Sequence, residues 1–405
     1  MSQLFPLKAL RPAPPVADKV AAVPYDVVST DEARTLVAGH PLSFLRVTRS
    51  EVDLPPDTNP YDARVYAQAV ANFEALKRDA PLVTDEEPSL YLYRLRMGSH
   101  EQTGLAGGFS VDEYDRDQIK KHERTRKDKE DDRTRHITEL RAQTGVVFLT
   151  YRATASIDSL VRRMTSARPI YDFRADDGIA HTIWRITGAD AQALVSAFAG
   201  VPALYIADGH HRVASASRAR AALAASGGRV TDADRFIAVA FPDTEVQILP
   251  YHRVVKDLAG QTPDAFLAAI GQRMRVSLGP ATPARAGDVA MFMAGRWYTV
   301  TLPKPPVGTS TSDALDVAVL EREVLAPFLK IADIRSDKRI EFVGGVRGTA
   351  ELERLVSRGR HAVAFSMFPV SVRDLISVAD AGGVMPPKST WFEPKLRDGL
   401  LVHMI

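Results

Sequence analysis

Residues 203–207 (Ala-Leu-Tyr-Ile-Ala) form an apolar run that stops at Asp208-Gly209-His210-His211-Arg212, and residues 213–225 beyond it are dominated by Ala, Ser, Leu and Arg. A short apolar run bounded by turn residues reads as a buried strand, and the Ala-rich stretch has a strong helix composition. The polar pentad therefore occupies a strand-to-helix turn, with Gly209 supplying the backbone freedom the turn needs. The first turn of a helix carries N–H groups without intrahelical acceptors at the positive end of the dipole, so it attracts anions. Arg212 adds a planar cationic fork suited to phosphate. Phosphate chemistry is the first expectation. A plainer arrangement is also open, in which the two histidines are a satisfied loop pair and Asp208 caps the helix. Zinc fits less well, because adjacent histidine side chains seldom reach one ion together and the chain has no cysteine to complete a structural site.

With 405 residues the chain is long enough for two or three domains and a substantial core. Lys plus Arg number 52 against 50 Asp plus Glu, a net charge of +2, which is small for a dedicated nucleic-acid binder. The absence of cysteine excludes disulfides, thiolate metal sites and cysteine nucleophiles, and is compatible with a reducing compartment. Residues 1–15 are Pro-rich, with no apolar signal core, and no apolar run approaches membrane-spanning length. The expectation is a soluble, cytoplasmic protein.

Along the chain, residues 20–29 suggest a strand interrupted at Pro24, with Tyr25 and Asp26 on irregular, exposed chain or, more plainly, as a core aromatic and a turn residue, and a helix from about Thr30. Residues 42–47 suggest a strand and residues 62–78 a helix with Val65, Ala69, Phe73 and Leu76 on one face. Residues 89–96 and 104–113 read as a hairpin, one strand alternating leucines with polar or aromatic residues. The charged segment 115–141 reads as solvated helix. Its His122-Glu123-Arg124-Thr125-Arg126 fails as a zincin motif, since Arg126 stands where the second histidine belongs. Strands are expected at 146–151, 169–173, 179–186, 235–241 and 247–255. Further expectations are a linker-like loop at 303–312, an amphipathic helix at 314–329 and a βαβ rhythm over 340–379, with Ser371 and Asp374 as a capping box. The loop Met385-Pro386-Pro387-Lys388-Ser389-Thr390 carries one cation and two hydroxyls. Neither a P-loop nor a dinucleotide fingerprint is present.

The Asp208-Gly209-His210-His211-Arg212 turn resembles the phosphate-binding signature of the ParB/sulfiredoxin superfamily, and within it the SerK-like free-serine kinases. Lys121-His122-Glu123 is similar to the segment that carries the catalytic carboxylate there, with Lys in place of Pro. The 385–390 loop, followed by Pro394-Lys395, is similar to that family's C-terminal Ser-Pro-Lys-Thr-Thr loop. More broadly the chain resembles a large bacterial family of unknown function. Its recurrent pieces stand here as Val23-Pro24-Tyr25-Asp26-Val27, His122-Glu123-Arg124-Thr125, Asp208 to Arg212, Leu249-Pro250-Tyr251-His252-Arg253 and the 385–390 loop. The resemblance implies an α+β (mixed α/β) fold. It would have an N-terminal segment over 1–103, a ParB/sulfiredoxin-like core over 104–260 and a C-terminal domain over 261–405.

Sulfiredoxin chemistry needs a cysteine, and partition needs a DNA-reading module with a basic surface; the chain offers neither. The kinase branch implies phosphoryl transfer from ATP, ADP or pyrophosphate to a small hydroxyl, that of free L-serine above all, with Mg²⁺ as cofactor. Glu123 would take the hydroxyl proton. The Gly209–Arg212 amides and Arg212 would hold donor phosphates, while His122, His210 and His211 bond phosphoryl oxygens and Asp208 helps with Mg²⁺. Lys120, Lys121, Arg124 and Arg126 would keep Glu123 ionised, Lys388, Ser389 and Thr390 would bind substrate, and Tyr25 with Asp26 would line the pocket. A nucleotide-binding regulator or DNA-associated protein without transfer chemistry remains the alternative, and the oligomeric state is open.

Overall fold

The computed structural model describes residues 2–227 and 232–405. The fold is mixed α/β, in two compact units, one running to Val246 and taking back Pro394–Ile405, the other Gln247–Glu393. The expected cut after residue 103 is absent, because Leu90–Met97 and His100–Ser110 are hairpin partners in one sheet. The expected cut after 260 falls instead at 246, since Tyr251–Val255 is a strand of the second unit's sheet.

The first unit is built on a nine-stranded mixed sheet. Across it run Ile119–Lys120, Leu204–Asp208, Val147–Tyr151, Arg235–Pro242, His100–Ser110, Leu90–Met97, Ala180–Ile186 and Tyr171–Arg174, with Leu4–Phe5 added beside His100–Ser110. Two of its pairings are parallel: Leu204–Asp208 with Ile119–Lys120, and Arg235–Pro242 with Val147–Tyr151. The central strand and Ile119–Lys120 therefore deliver their following residues, Gly209 and Lys121, to the same end of the sheet. In open α/β sheets ligands bind at such carboxyl ends.

The hairpin does not alternate as its sequence suggests. Leu90, Tyr91, Leu92 and Tyr93 are all at most 1% exposed, so both faces of this strand are covered. The Ala155–Met164 and Gly188–Phe198 helices cover one part of the sheet through Ile157, Leu194 and Phe198. A second cluster gathers Ala69, Phe73 and Leu76 of Ala63–Asp79 around Phe44, as the 3.6-residue spacing predicts. Thr30–Val37 begins at a capping box in which Ser29 and Glu32 satisfy each other's backbone N–H groups.

Past Val20, the strand expected over 20–29 is turn and irregular chain apart from a single bridge, Ala22 to Asp398, and the one expected over 42–47 gives way to the helical turn Leu45–Thr48; both segments contribute to this second cluster. Tertiary burial overrides their β-rich composition. Tyr25 is buried, as a core aromatic, and not on exposed chain. Within the charged segment only Lys127–Leu140 is helical, and it packs along His210–Ala225. The Ser215 hydroxyl donates to the Glu130 carbonyl at 3.2 Å, and Arg218 pairs with Glu130 and Asp131. The carboxyl-terminal segment returns across this unit, where Asp398 N–H donates to the Ala22 carbonyl and Val402 N–H to the Leu10 carbonyl, each at 2.9 Å.

The second unit carries a six-stranded antiparallel sheet ordered Arg275–Leu278, Arg296–Thr301, Asp288–Met293, Val363–Ser366, Tyr251–Val255, Ile340–Gly344. The expected βαβ rhythm is present in split form. Ile340–Gly344 and Val363–Ser366 run parallel to each other on either side of antiparallel Tyr251–Val255, joined through the Gly348–Ser357 helix. Ser371 and Asp374 form the expected capping box of Val372–Asp380. The helix expected over 314–329 is broken by a π turn at Glu321–Leu325, ahead of Ala326–Leu329. Pro327 has no N–H to continue an α-helical ladder there.

Candidate active site

The turn after the central strand is built as the composition requires. Gly209 adopts φ 97°, ψ 30°, a left-handed conformation that L side chains rarely take, and the helix begins at His210. Asp208 does not cap it; the helix has no side-chain cap, so its first amides remain oriented for an anion.

The segment 122–126 is tied across this helix start by two bonds from its own backbone. His122 N–H donates to His210 Nε2 at 3.4 Å, and Arg126 N–H donates to His211 Nε2 at 3.0 Å. Glu123, half-buried, lies between these two anchors, and its carboxylate comes within 4.8 Å of ligand atoms of both His122 and His210. The parallel pairing Leu204↔Ile119 and Tyr205↔Lys120 is what brings the two segments alongside. The His122 and His210 rings meet edge to face, centroids 4.5 Å apart, and both residues are buried. Burial pushes His122 down to about 4, with the Ile206 carbonyl and Asp208 pulling weakly the other way. Burial and then His122 hold His210 well below the ordinary histidine range. Both imidazoles are neutral at pH 7.

Four expected roles change. Arg212 turns inward rather than toward an anion: it is 6% exposed, its Nη2 donates to both Asp26 oxygens (2.8 and 3.0 Å), and its Nη1 donates to the Val146 carbonyl at 2.7 Å. The guanidinium groups of Arg133 and Arg212 lie over the Tyr25 ring, 4.3 and 5.5 Å from its centre. Asp26 and Tyr25 thus serve Arg212, and the anion is left to the amides. Asp208 carries the Lys395 ammonium on Oδ2 at 2.8 Å. Burial pulls its pKa up, but Lys395 and then Arg212 win and hold it well below the usual carboxylate range. A carboxylate so paired is a poor Mg²⁺ ligand, which corrects that expectation. Lys121 pairs with Asp117 at 3.5 Å and lies over Tyr114, and Arg126 pairs with Asp128, so both charges are directed to other acids.

Lys388, Ser389 and Thr390 belong to the second unit. Lys388 holds a left-handed conformation (φ 59°), and its carbonyl accepts from the buried Arg253 guanidinium at 3.1 Å. The Ser389 hydroxyl is buried and donates to the Pro386 carbonyl at 2.6 Å, so it shapes the loop instead of meeting a ligand.

Lys395, Asp398 and Arg133 were not singled out from sequence. The Pro394-Lys395 pair lay in the quoted motif and was the available signal for the first. Asp398 is 1% exposed, neither oxygen has a hydrogen-bond partner, and burial pushes it up to about 7 against the pull of Arg212. No local pattern marks it. A cavity of about 30 Å³ lined by Tyr25, Arg133, His136, Thr144 and Arg212 has room for a water or two and none for a nucleotide.

The family described as "Protein of unknown function (DUF1015)" matches residues 4–318. The chain belongs to that family. Comparison with curated proteins finds no match. Among solved structures, a free serine kinase in complex with AMP aligns over 73% of this chain and 91% of its own at 12% identity and TM-score 0.35. A conserved hypothetical protein from Pyrococcus furiosus aligns over 74% and 95% at 15% identity and TM-score 0.34. C-terminally truncated SbnI from Staphylococcus aureus aligns over 72% and 85% at 13% identity and TM-score 0.37. Likeness at this level bears on neither substrate nor mechanism. No helix among the described residues is long and apolar enough to cross a membrane.

Proposed function

We propose that this DUF1015 protein is a small-molecule kinase that moves a phosphoryl group from a nucleotide, or from pyrophosphate, to a small hydroxyl, with free L-serine as the candidate acceptor. The observation that carries the reading is Glu123, held beside the uncapped start of the His210–Ala225 helix by the two backbone-to-imidazole bonds. An anion site and a carboxylate side by side are what in-line phosphoryl transfer requires of a protein. The acceptor oxygen attacks the terminal phosphorus, the bond to the leaving nucleotide oxygen breaks, and the hydroxyl proton passes to Glu123. Helix amides hold the donor's phosphates and an imidazole N–H of His210 or His211 bonds the transferred oxygens.

Serine as acceptor, kinship with the ParB/sulfiredoxin superfamily and Lys388 with Thr390 as substrate contacts rest on the motif resemblance alone. Mg²⁺ wants oxygen ligands. Asp208 does not fit that role with Lys395 on it, and Glu123 stands beside two imidazoles, so no step is routed through this ion.

Phosphorus NMR of the protein with L-serine and ATP, ADP or pyrophosphate in turn tests the reading. A phosphoserine resonance with one donor is the expected result. Nucleotide binding without any new resonance refutes transfer to serine and favours a nucleotide-binding regulator.

A further inference from the structure

His122, Glu123 and His210 each direct one ligand atom into a common space, all within 4.8 Å of one another. We propose that this cluster binds a zinc-class divalent ion, with three protein ligands and an open fourth position. Two imidazole nitrogens and one carboxylate oxygen suit zinc, cobalt or nickel rather than magnesium or calcium. Three protein ligands with a vacant position is the arrangement of sites that present water or an anion to the metal.

The second, independent observation is His122 itself. It is 2% exposed, and although the Ile206 carbonyl acts on the ring, neither ring nitrogen completes a hydrogen bond of ordinary geometry. Buried polar atoms are nearly always partnered, and one left idle calls for an explanation such as an absent ion. His210 contributes one ring nitrogen, and its Nε2 is engaged only by the His122 N–H at 3.4 Å, the outer limit of the interaction. Ligand atoms around a tetrahedral ion at 2.0–2.2 Å stand about 3.3 Å apart, so the cluster needs only a modest contraction.

Adjacency argues against His210 and His211 sharing an ion. The parallel strand pairing supplies a different partner, His122, from 88 residues away. Asp208 and Lys395, paired next to the cluster, largely cancel each other's field. The inference goes beyond the kinase reading and does not depend on it.

The test is titration of the chelator-stripped, full-length protein with Co²⁺ alone, no nucleotide present, followed by visible absorption and then by Zn²⁺ competition. One Co²⁺ per chain with the intense bands of a four-coordinate ion, displaced by Zn²⁺ and not by millimolar Mg²⁺, is the expected result. Glu123→Gln and His122→Asn should weaken binding by more than the roughly 10–100-fold that losing an outer-shell partner costs. No stoichiometric Co²⁺ or Zn²⁺, displacement by Mg²⁺, or undiminished affinity in a variant with a parental circular-dichroism melt would overturn the proposal. If His122→Asn does not fold, the wild-type stoichiometry and the half-buried Glu123→Gln decide it.

Discussion

Replacing Lys395 by Met removes one ammonium and keeps most of the side chain's length, which isolates the charge on Asp208. In the wild type the two are 2.8 Å apart, with side chains 12% and 27% exposed. Breaking a buried pair by removing one partner costs about 3–5 kcal/mol, because the other charge is left behind. Asp208 keeps some contact with water and with the field of Arg212, so the expectation falls below that range, at about 2–3 kcal/mol at pH 7. For a unit of this size that corresponds to a melting temperature lower by roughly 5–10 °C.

The pH dependence separates charge from packing. The folded pKa of Asp208 is depressed, so the pair's contribution is present above the unfolded value of about 3.9 and is lost as pH falls through the folded pKa. In Lys395→Met, burial prevails and the carboxyl protonates more readily. The gap between wild type and variant should therefore narrow as pH drops from 7 toward 3. Urea unfolding at several pH values measures it, and Asp208→Asn combined with Lys395→Met should recover most of the loss. A gap that is the same at pH 3.5 and pH 7, or one below about 0.5 kcal/mol, would refute the reasoning.

Glu123→Gln should lower turnover by about 10²- to 10⁴-fold while nucleotide affinity, followed by calorimetry, stays near the parental value. Gly209→Ala forces a side chain into φ 97° against the Arg212 stem 3.2 Å away. It should destabilise by about 1–2 kcal/mol in thermal melts and weaken nucleotide binding as well. Asp398 has its folded pKa raised to about 7, so the stability it contributes is full below about pH 3.9 and lost as pH rises through 7. Asp398→Asn should thus gain on the wild type as pH rises from 4 to 8 in denaturant melts; a gap independent of pH would contradict this.

Some of the architecture was legible from short-range pattern. The 3.6-residue spacing of Val65, Ala69, Phe73 and Leu76, the Ser371–Asp374 capping box and the strand-to-helix turn at Gly209 depend on residues a turn or two apart, and each is found. The β-rich segments at residues 20–29 and 42–47 misled, because their apolar residues are buried by the second cluster's helices and not by a sheet. Alternation in Leu90–Met97 misled for a related reason: a strand covered on both faces has no polar side to display.

The sequence by itself determined where an anion-binding helix start would form, since glycine's freedom and the unpaired amides of a first turn are local properties of residues 208–212. What those residues do was decided only by the tertiary structure. Arg212 meets Asp26 across 186 residues, Lys395 meets Asp208 across 187, and His122 reaches His210 across 88. Each meeting depends on sheet register and chain return, which no local window contains. With its arginine drawn inward and its aspartate paired with Lys395, the pentad leaves an uncapped helix start at His210, and the chain's register brings Glu123 beside it.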